Sequence, residues 1–412
     1  MNYTAITKLI DSKSIALNIE AGITLNIRDD VFRPGTVRVH LPAPINAGWL
    51  KEGQLLDSDP MFRMASVEDY PQRSVYYNER LEENTPFSVK YAFTSEHLLV
   101  TPDIDLINST DQKHFDKEAI ERFSSSHHCG CESYTALPAE NVSITDVIKD
   151  RGIRFLPEYF QYLNTILSVF PELKFTDTDS ASDICSISND IVLDSGKSST
   201  PEAILSTSNN SLHASENVCP PYTRDLSSIR ESISAKRLTG SVAHAIYRFI
   251  TENFTHMNRH DHNLAFVSMC RMCGIPARWQ GGWAVTQTFS STPNTAQFTA
   301  ANHDWAMVHL LPYVWIYVDC AFGAEALSEN LSYKDMKLAD YFFGNIDPFM
   351  VPTASVPEAD LYPAKDYERA DKTFNVYGEA ELVPDKMESE GHFEGFGLKQ
   401  EDFSSRIYLA QL

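Results

Sequence analysis

Residues 258–283 read "NRHDHNLAFVSMCRMCGIPARWQGGW". Leu264, Val267 and Cys270 recur at helical spacing, and Gly274 is the residue type that stops a helix in the left-handed region. Pro276 follows within two residues, where a helix cannot continue. After it "IPARWQGGWAV" reads as a strand. A helix running through a tight Gly-Ile-Pro turn into a strand is therefore expected here.

On the amino-terminal side, "SVAHAIYRFITENF" places Val242, Ala245, Ile246, Phe249 and Ile250 on one helical stripe, with Ser241 as a candidate cap. On the carboxy-terminal side, "HDWAMVHLL" and "VWIYVDCAF" read as two further strands, with Cys320 on the second of them facing away from Asp319. Two helices followed by three strands predict an α+β core.

The C-terminal half resembles the transglutaminase-like superfamily of papain-type thiol folds. The resemblance rests on "CRMCGIPARWQGG", on "NHDWAMVHLL" as a His-x-Trp strand, and on "VWIYVDCAFG" as a Trp-x-x-x-Asp strand. "YFFGNIDPFMVP" and "PAKDYERADKTFNVYGEAEL" are similar to a bacterial subgroup. The resemblance implies a papain-type core, with an active-site-type helix packed on an antiparallel sheet and an N-terminal β-sandwich before it.

Chemistry in that family needs a thiolate at a helix start, an imidazole on the next strand and a carboxylate to orient it. The resemblance assigns the imidazole to His303 and the carboxylate to Asp319. Counting back from Gly274 by the family's spacing, the thiol position is Arg259. A guanidinium stays protonated and has no accessible lone pair, so it cannot attack a carbonyl. The loop that usually precedes the nucleophile is also short, since "TENFTHMNRHDHN" joins the two helices almost directly. The expectation is a protein with an inactive thiol site that binds or scaffolds a protein or peptide.

Rival readings use the same residues. A cysteine peptidase, amidase or protein-glutamine transamidase would need another of the seven cysteines. Cys270 and Cys273 lie at the wrong end of the helix, and Cys129, Cys131, Cys185 and Cys219 lie in or beside segments read as flexible. A non-thiol hydrolase would have His303 and Asp319 activate water, but no second carboxylate or metal motif is evident. Trp279, Trp283 and Trp305 line a cleft on one reading and fill the core on another. His260, Asp261 and His262 either cluster with His303 or cap the helix start.

Away from the core, residues 1–110 read as short strands. Val37, Val39 and Leu41 alternate in "GTVRVHLPAP", as do Phe87, Val89, Tyr91 and Phe93 in "FSVKYAFT". Residues 111–175 read as a helical connector. Within it, His127, His128, Cys129 and Cys131 have poor spacing for zinc and read as a polar loop. Residues 176–218 are rich in Ser and Asp, and too poor in apolar residues to offset ordering entropy. Residues 219–325 make the core, and 326–412 an acidic, irregular extension packed on it.

A chain of 412 residues, 43% hydrophobic and 11% aromatic, has material for more than one core. Its formal net charge of −22 offers nothing to neutralise phosphates, which argues against nucleic acid. No run of about 18 apolar residues predicts a membrane span. No export signal is evident, so reduced thiols in the cytoplasm are the expectation. No motif implies a metal or another cofactor.

Overall fold

In the strand holding His303, successive residues are paired along one edge by a single partner and along the other by two. This strand is β8 (Gln297–Leu310). On one edge β7 (Ala277–Val285) runs antiparallel to it, pairing Val285 with Ala300 through to Ala277 with Val308. On the other edge β16 (Phe403–Gln411) pairs with residues 297–300 and β9 (Val314–Val318) with residues 306–310. Among the described residues, 301–305 thus has a strand partner only on the β7 edge. The sheet opens at this point, and His303 is in the opening.

The protein is described by a computed structural model covering residues 1–65, 72–112, 238–253, 259–273, 275–285, 297–355, 361–363, 377–384 and 396–412. The helical connector from 113 onward, the Ser/Asp-rich stretch, Gly274 and Cys129, Cys131, Cys185 and Cys219 lie outside the described residues, as do His127 and His128. All described residues belong to one unit, formed by 1–139 and 233–412.

Strand order in the main sheet is β12-β9-β8-β16-β1-β6-β3, with β7 on β8 and β13 on β7. Here β1 is Ser14–Ile27, β3 Leu50–Asp59, β6 Phe87–Leu98, β12 Phe343–Gly344 and β13 Val351–Ala354. A second sheet has the order β15-β14-β2-β5-β4, with β2 Gly35–Pro42, β4 Met64–Ala65, β5 Ser74–Leu81, β14 Glu379–Pro384 and β15 Phe396–Gly397. The strands read from alternation are present. In β2, Val37, Val39 and Leu41 are fully buried, and β6 buries every second residue from Phe87 to His97.

Their partners differ from expectation. The first hundred residues do not close a sandwich on their own. β1, β3 and β6 extend the core sheet, because β16 from the far end of the chain pairs with β1 on one side and β8 on the other. The second sheet likewise takes β14 between β2 and β15. Alternation marks which face of a strand is buried but not which strand lies beside it. The extension read as irregular supplies a small hairpin, β10 (Ser332–Tyr333) with β11 (Met336–Lys337), and β12 to β16. The chain also opens with a helix, α1 (Tyr3–Ser12), which buries Ala5, Ile6 and Leu9.

The further helices are α2 (Ile104–Ser109), α3 (Thr239–Asn253), α4 (Arg259–Met272), α5 (Cys320–Ser328) and α6 (Leu338–Tyr341), with α3 packed on α2, α4 and α5. α4 packs on both β7 and β8 and against α5. Its expected stripe is present in part, since Val267 and Cys270 are buried while Leu264 is half-buried. On α3, Val242, Ile246 and Ile250 are buried, joined by Ala243 and Tyr247, whereas Ala245 and Phe249 are half-buried. Ser241 is not the cap. Asn108 of α2 supplies it, its Oδ1 accepting from the N–H groups of Gly240 (2.9 Å) and Ser241 (3.2 Å). Its Nδ2 donates to Ser241 Oγ at 2.7 Å.

Opposite His303 across the β7–β8 pair is Gly282, and opposite Gly282 on β13 is Pro352. A Cβ on Gly282 would lie 2.0 Å from the Val351 carbonyl oxygen and 2.8 Å from Pro352 Cα. Glycine is required by this close approach of backbone to backbone. Replacing Gly282 with alanine is expected to push β13 off β7 and cost about 3 kcal/mol, read as a lower denaturant midpoint with an unchanged m-value. A cost under about 0.5 kcal/mol, the usual size of a surface change, would show that the two strands are not in contact.

Candidate functional site

The opening of the sheet leaves backbone polar groups of β8 without a strand to bond, and side chains take them. Asn263 of α4 donates from Nδ2 to the Asp304 carbonyl at 2.7 Å. The Asn302 N–H donates to the Tyr377 hydroxyl at 3.5 Å, and that hydroxyl donates to Asn302 Oδ1 at 2.9 Å. Buried backbone groups need such partners. Asn263 also accepts, at Oδ1, the Cys320 N–H at 2.9 Å. It is fully buried. One side chain therefore ties α4 to the residue after His303 and to the residue after Asp319.

β9 ends at Val318, and Asp319 is the N-cap of α5. Cys320 begins that helix, which corrects the sequence reading that placed it on the strand. Asp319 Oδ1 accepts from the Phe322 N–H at 2.9 Å, the usual bond of a capping aspartate. Its Oδ2 is 2.6 Å from His303 Nε2, and both side chains are completely buried. The imidazole lies flat on the Phe322 ring, with centroids 4.0 Å apart and planes 15° apart. Phe322 thus serves both residues, its N–H holding the carboxylate and its ring supporting the imidazole.

A carboxylate only accepts, so Nε2 carries the hydrogen of this bond. The other ring nitrogen, Nδ1, is buried and has no hydrogen-bond partner among the described residues. A neutral ring presents a lone pair there, and a protonated ring presents a second donor. Such an arrangement orients an imidazole toward a third group.

Asp347 is a further buried carboxylate in reach of this charge. It accepts from the N–H groups of Asn2 (2.6 Å) and Phe349 (2.8 Å). Burial raises its pKa to about 6, against the lowering effect of those bonds, of the amino terminus and of His303. Asp304, next to His303, has its carboxylate bonded by the Trp279 indole N–H.

Among the residues anticipated from sequence, His303 and Asp319 are brought into contact, and Arg259 is the first residue of α4. His262 is buried. Trp279, Trp283 and Trp305 are core residues, each 3% exposed or less. Trp305 Nε1 donates to Gln280 Oε1 at 2.9 Å. Asn263, Phe322 and Asp347 were not anticipated. Asn263 alone carried a signal, as a poor helix former inside a helix, just before its apolar stretch. No group of three or more His, Cys, Asp or Glu suited to a metal occurs among the described residues. No helix among them is long and apolar enough to cross a membrane.

Residues 254–320, which hold α4, β7, β8 and β9, match the model of the transglutaminase-like superfamily. This part of the chain is similar to that superfamily, and its strands belong to the large antiparallel sheet. No curated protein matches the chain. Among solved structures, the chain is similar to a putative cysteine protease from Cytophaga hutchinsonii, at 13% identity and a TM-score of 0.32, over 97% of this chain and 98% of that one.

The double use of Asp319 sets a measurable difference between two substitutions. Asp319→Ala removes the cap and leaves the buried imidazole without its hydrogen-bond partner, for an expected loss of about 3–5 kcal/mol. Asp319→Asn keeps Oδ1 for the Phe322 N–H and offers Nδ2–H to His303, for an expected loss of about 1 kcal/mol. Urea unfolding of both variants tests this, and equal losses would rule out the capping role.

Proposed function

We propose that this chain is a transglutaminase-like protein that binds or scaffolds a protein or peptide and performs no thiol chemistry. The observation that carries the reading is the residue opening α4. Arg259 opens α4, at the position that the resemblance assigns to the family's cysteine, while His303 and Asp319 are bonded to each other. Without a nucleophile, an oriented imidazole has no thiol to deprotonate.

The described thiols support the same reading. Cys270, Cys273 and Cys320 are all buried. Burial, with Asp319 and Cys270 close by, pushes the Cys320 thiol well above its ordinary range. Cys270 and Cys273 lie in the last turn or just past the end of α4, where the negative end of the helix disfavours a thiolate. Buried neutral thiols of this kind behave as small core residues.

The competing reading is a working peptidase, amidase or transamidase served by Cys129, Cys131, Cys185 or Cys219. The two are separated by incubating the full chain with a glutamine-donor peptide and an amine, and separately with a mixed peptide library, with and without iodoacetamide. No turnover is expected in any arm. Turnover that the alkylating agent abolishes would overturn the proposal, and the labelled cysteine would identify the nucleophile.

A further inference from the structure

The main sheet ends at β3, whose edge away from β6 has no strand beside it among the described residues. Lys51, Gly53, Gln54, Leu55, Leu56 and Asp57 of β3 are all exposed, whereas the neighbouring β6 buries every second residue. The exposed surface includes Leu55 (43%) and Leu56 (48%), with Met61 (71%) just past the strand. A free strand edge presents N–H and C=O groups to any strand that can lie along it. Charges and bulges restrict which strands can, and β3 has both. Its pairing with β6 shifts register between Lys51 and Gln54 and again between Leu55 and Asp57. Its charges then decide what can approach.

Lys51 pairs with Thr94 and Asp57 with Lys90, so both share the face of the sheet that carries the even-numbered residues of β6. Lys51 Nζ is bonded to Glu96 on that face. Lys51 and Asp57 are also equally far from Gln54 along the strand. An antiparallel copy of β3, related by a two-fold axis at Gln54, therefore sets Lys51 of each chain opposite Asp57 of the other. The row across the joined sheets then runs Lys90, Asp57, Lys51 of the second copy and Glu96 of the second copy, with alternating sign. Opposite charges directly across an antiparallel pair stabilise it, and like charges oppose it. A parallel copy in register would set Lys51 against Lys51 and Asp57 against Asp57. The same axis places Leu55 of each chain beside Gly53 of the other. We propose that the β3 edge binds a second copy of this chain, strand to strand and antiparallel, as a two-fold dimer.

Each chain carries a formal charge of −22, so two copies repel at a distance. Salt at about 0.1 M screens that repulsion beyond about 10 Å, whereas residues opposite each other on paired strands are about 5 Å apart. One pair of strands is a small interface, which fits a dimer in exchange with its monomer rather than a permanent one. β3 is at the other end of the strand order from β9 and β12, so this pairing leaves the contact between His303 and Asp319 as it is. The dimer is thus independent of whether the chain performs thiol chemistry.

The test is sedimentation velocity of the full chain from micromolar to millimolar concentration, in about 0.1 M salt. A monomer–dimer equilibrium is expected. Lys51→Glu and Asp57→Lys each set like charges opposite one another at both contacts of the dimer, and each should weaken self-association about tenfold. Both positions are on the surface, and circular dichroism of the two variants should match that of the unaltered chain. An equimolar mixture of the two variants is the decisive arm. In a mixed dimer the two substituted positions face each other with opposite charge, and the two unsubstituted ones form the original pair. The mixture should therefore dimerise about as strongly as the unaltered chain. A chain that sediments as a monomer throughout, a dimer indifferent to both substitutions, or a mixture no more associated than either variant alone would overturn the proposal.

Discussion

The Asp319 carboxylate holds the site together because its two oxygens do different work. One satisfies the first turn of α5, and the other fixes the imidazole of His303. The position exists because β8 is paired by β16 at one end and β9 at the other, with an interval between them. Had a single strand run along that whole edge, backbone bonds would have filled the interval. Asn263 would then have had no carbonyl to take, and α4 no attachment to the strand beside His303.

This double duty makes the pair costly to break. Removing either member leaves the other as a buried group without its partner, and such losses are large on the scale of a domain's net stability. Asp319 caps α5 and holds His303 in the opening of the sheet, so the pair has a structural role of its own.

Short-range pattern was legible in the sequence and long-range pairing was not. Alternation at Val37, Val39 and Leu41 marked β2, and helical spacing from Val242 to Ile250 marked α3. Nothing local to "FSSRIYLAQ" says that it separates β1 from β8, because strand neighbours are chosen by burial of whole faces. The α3 cap was missed for a related reason, since Asn108 reaches it from a distant part of the chain. At the site, the family resemblance singled out His303 and Asp319, but the clamp at Asn263 depends on a sheet opening that no spacing records. The tryptophans, which sequence left between cleft and core, lie in the core, where each indole ring is largely covered.

The central proposal is that Arg259, which opens α4, stands at the nucleophile's place beside His303. Its most direct measurement is the alkylation rate of Arg259→Cys against pH, with and without His303→Gln in the same chain. A thiol placed there gains the helix start and an oriented imidazole, so its pKa should fall from about 8.5 toward the range of about 3.5–7.5 seen for paired thiolates. Rapid alkylation at neutral pH, lost in the double variant, is the result the account predicts. A thiol titrating near about 8.5, with a rate indifferent to His303, would contradict it.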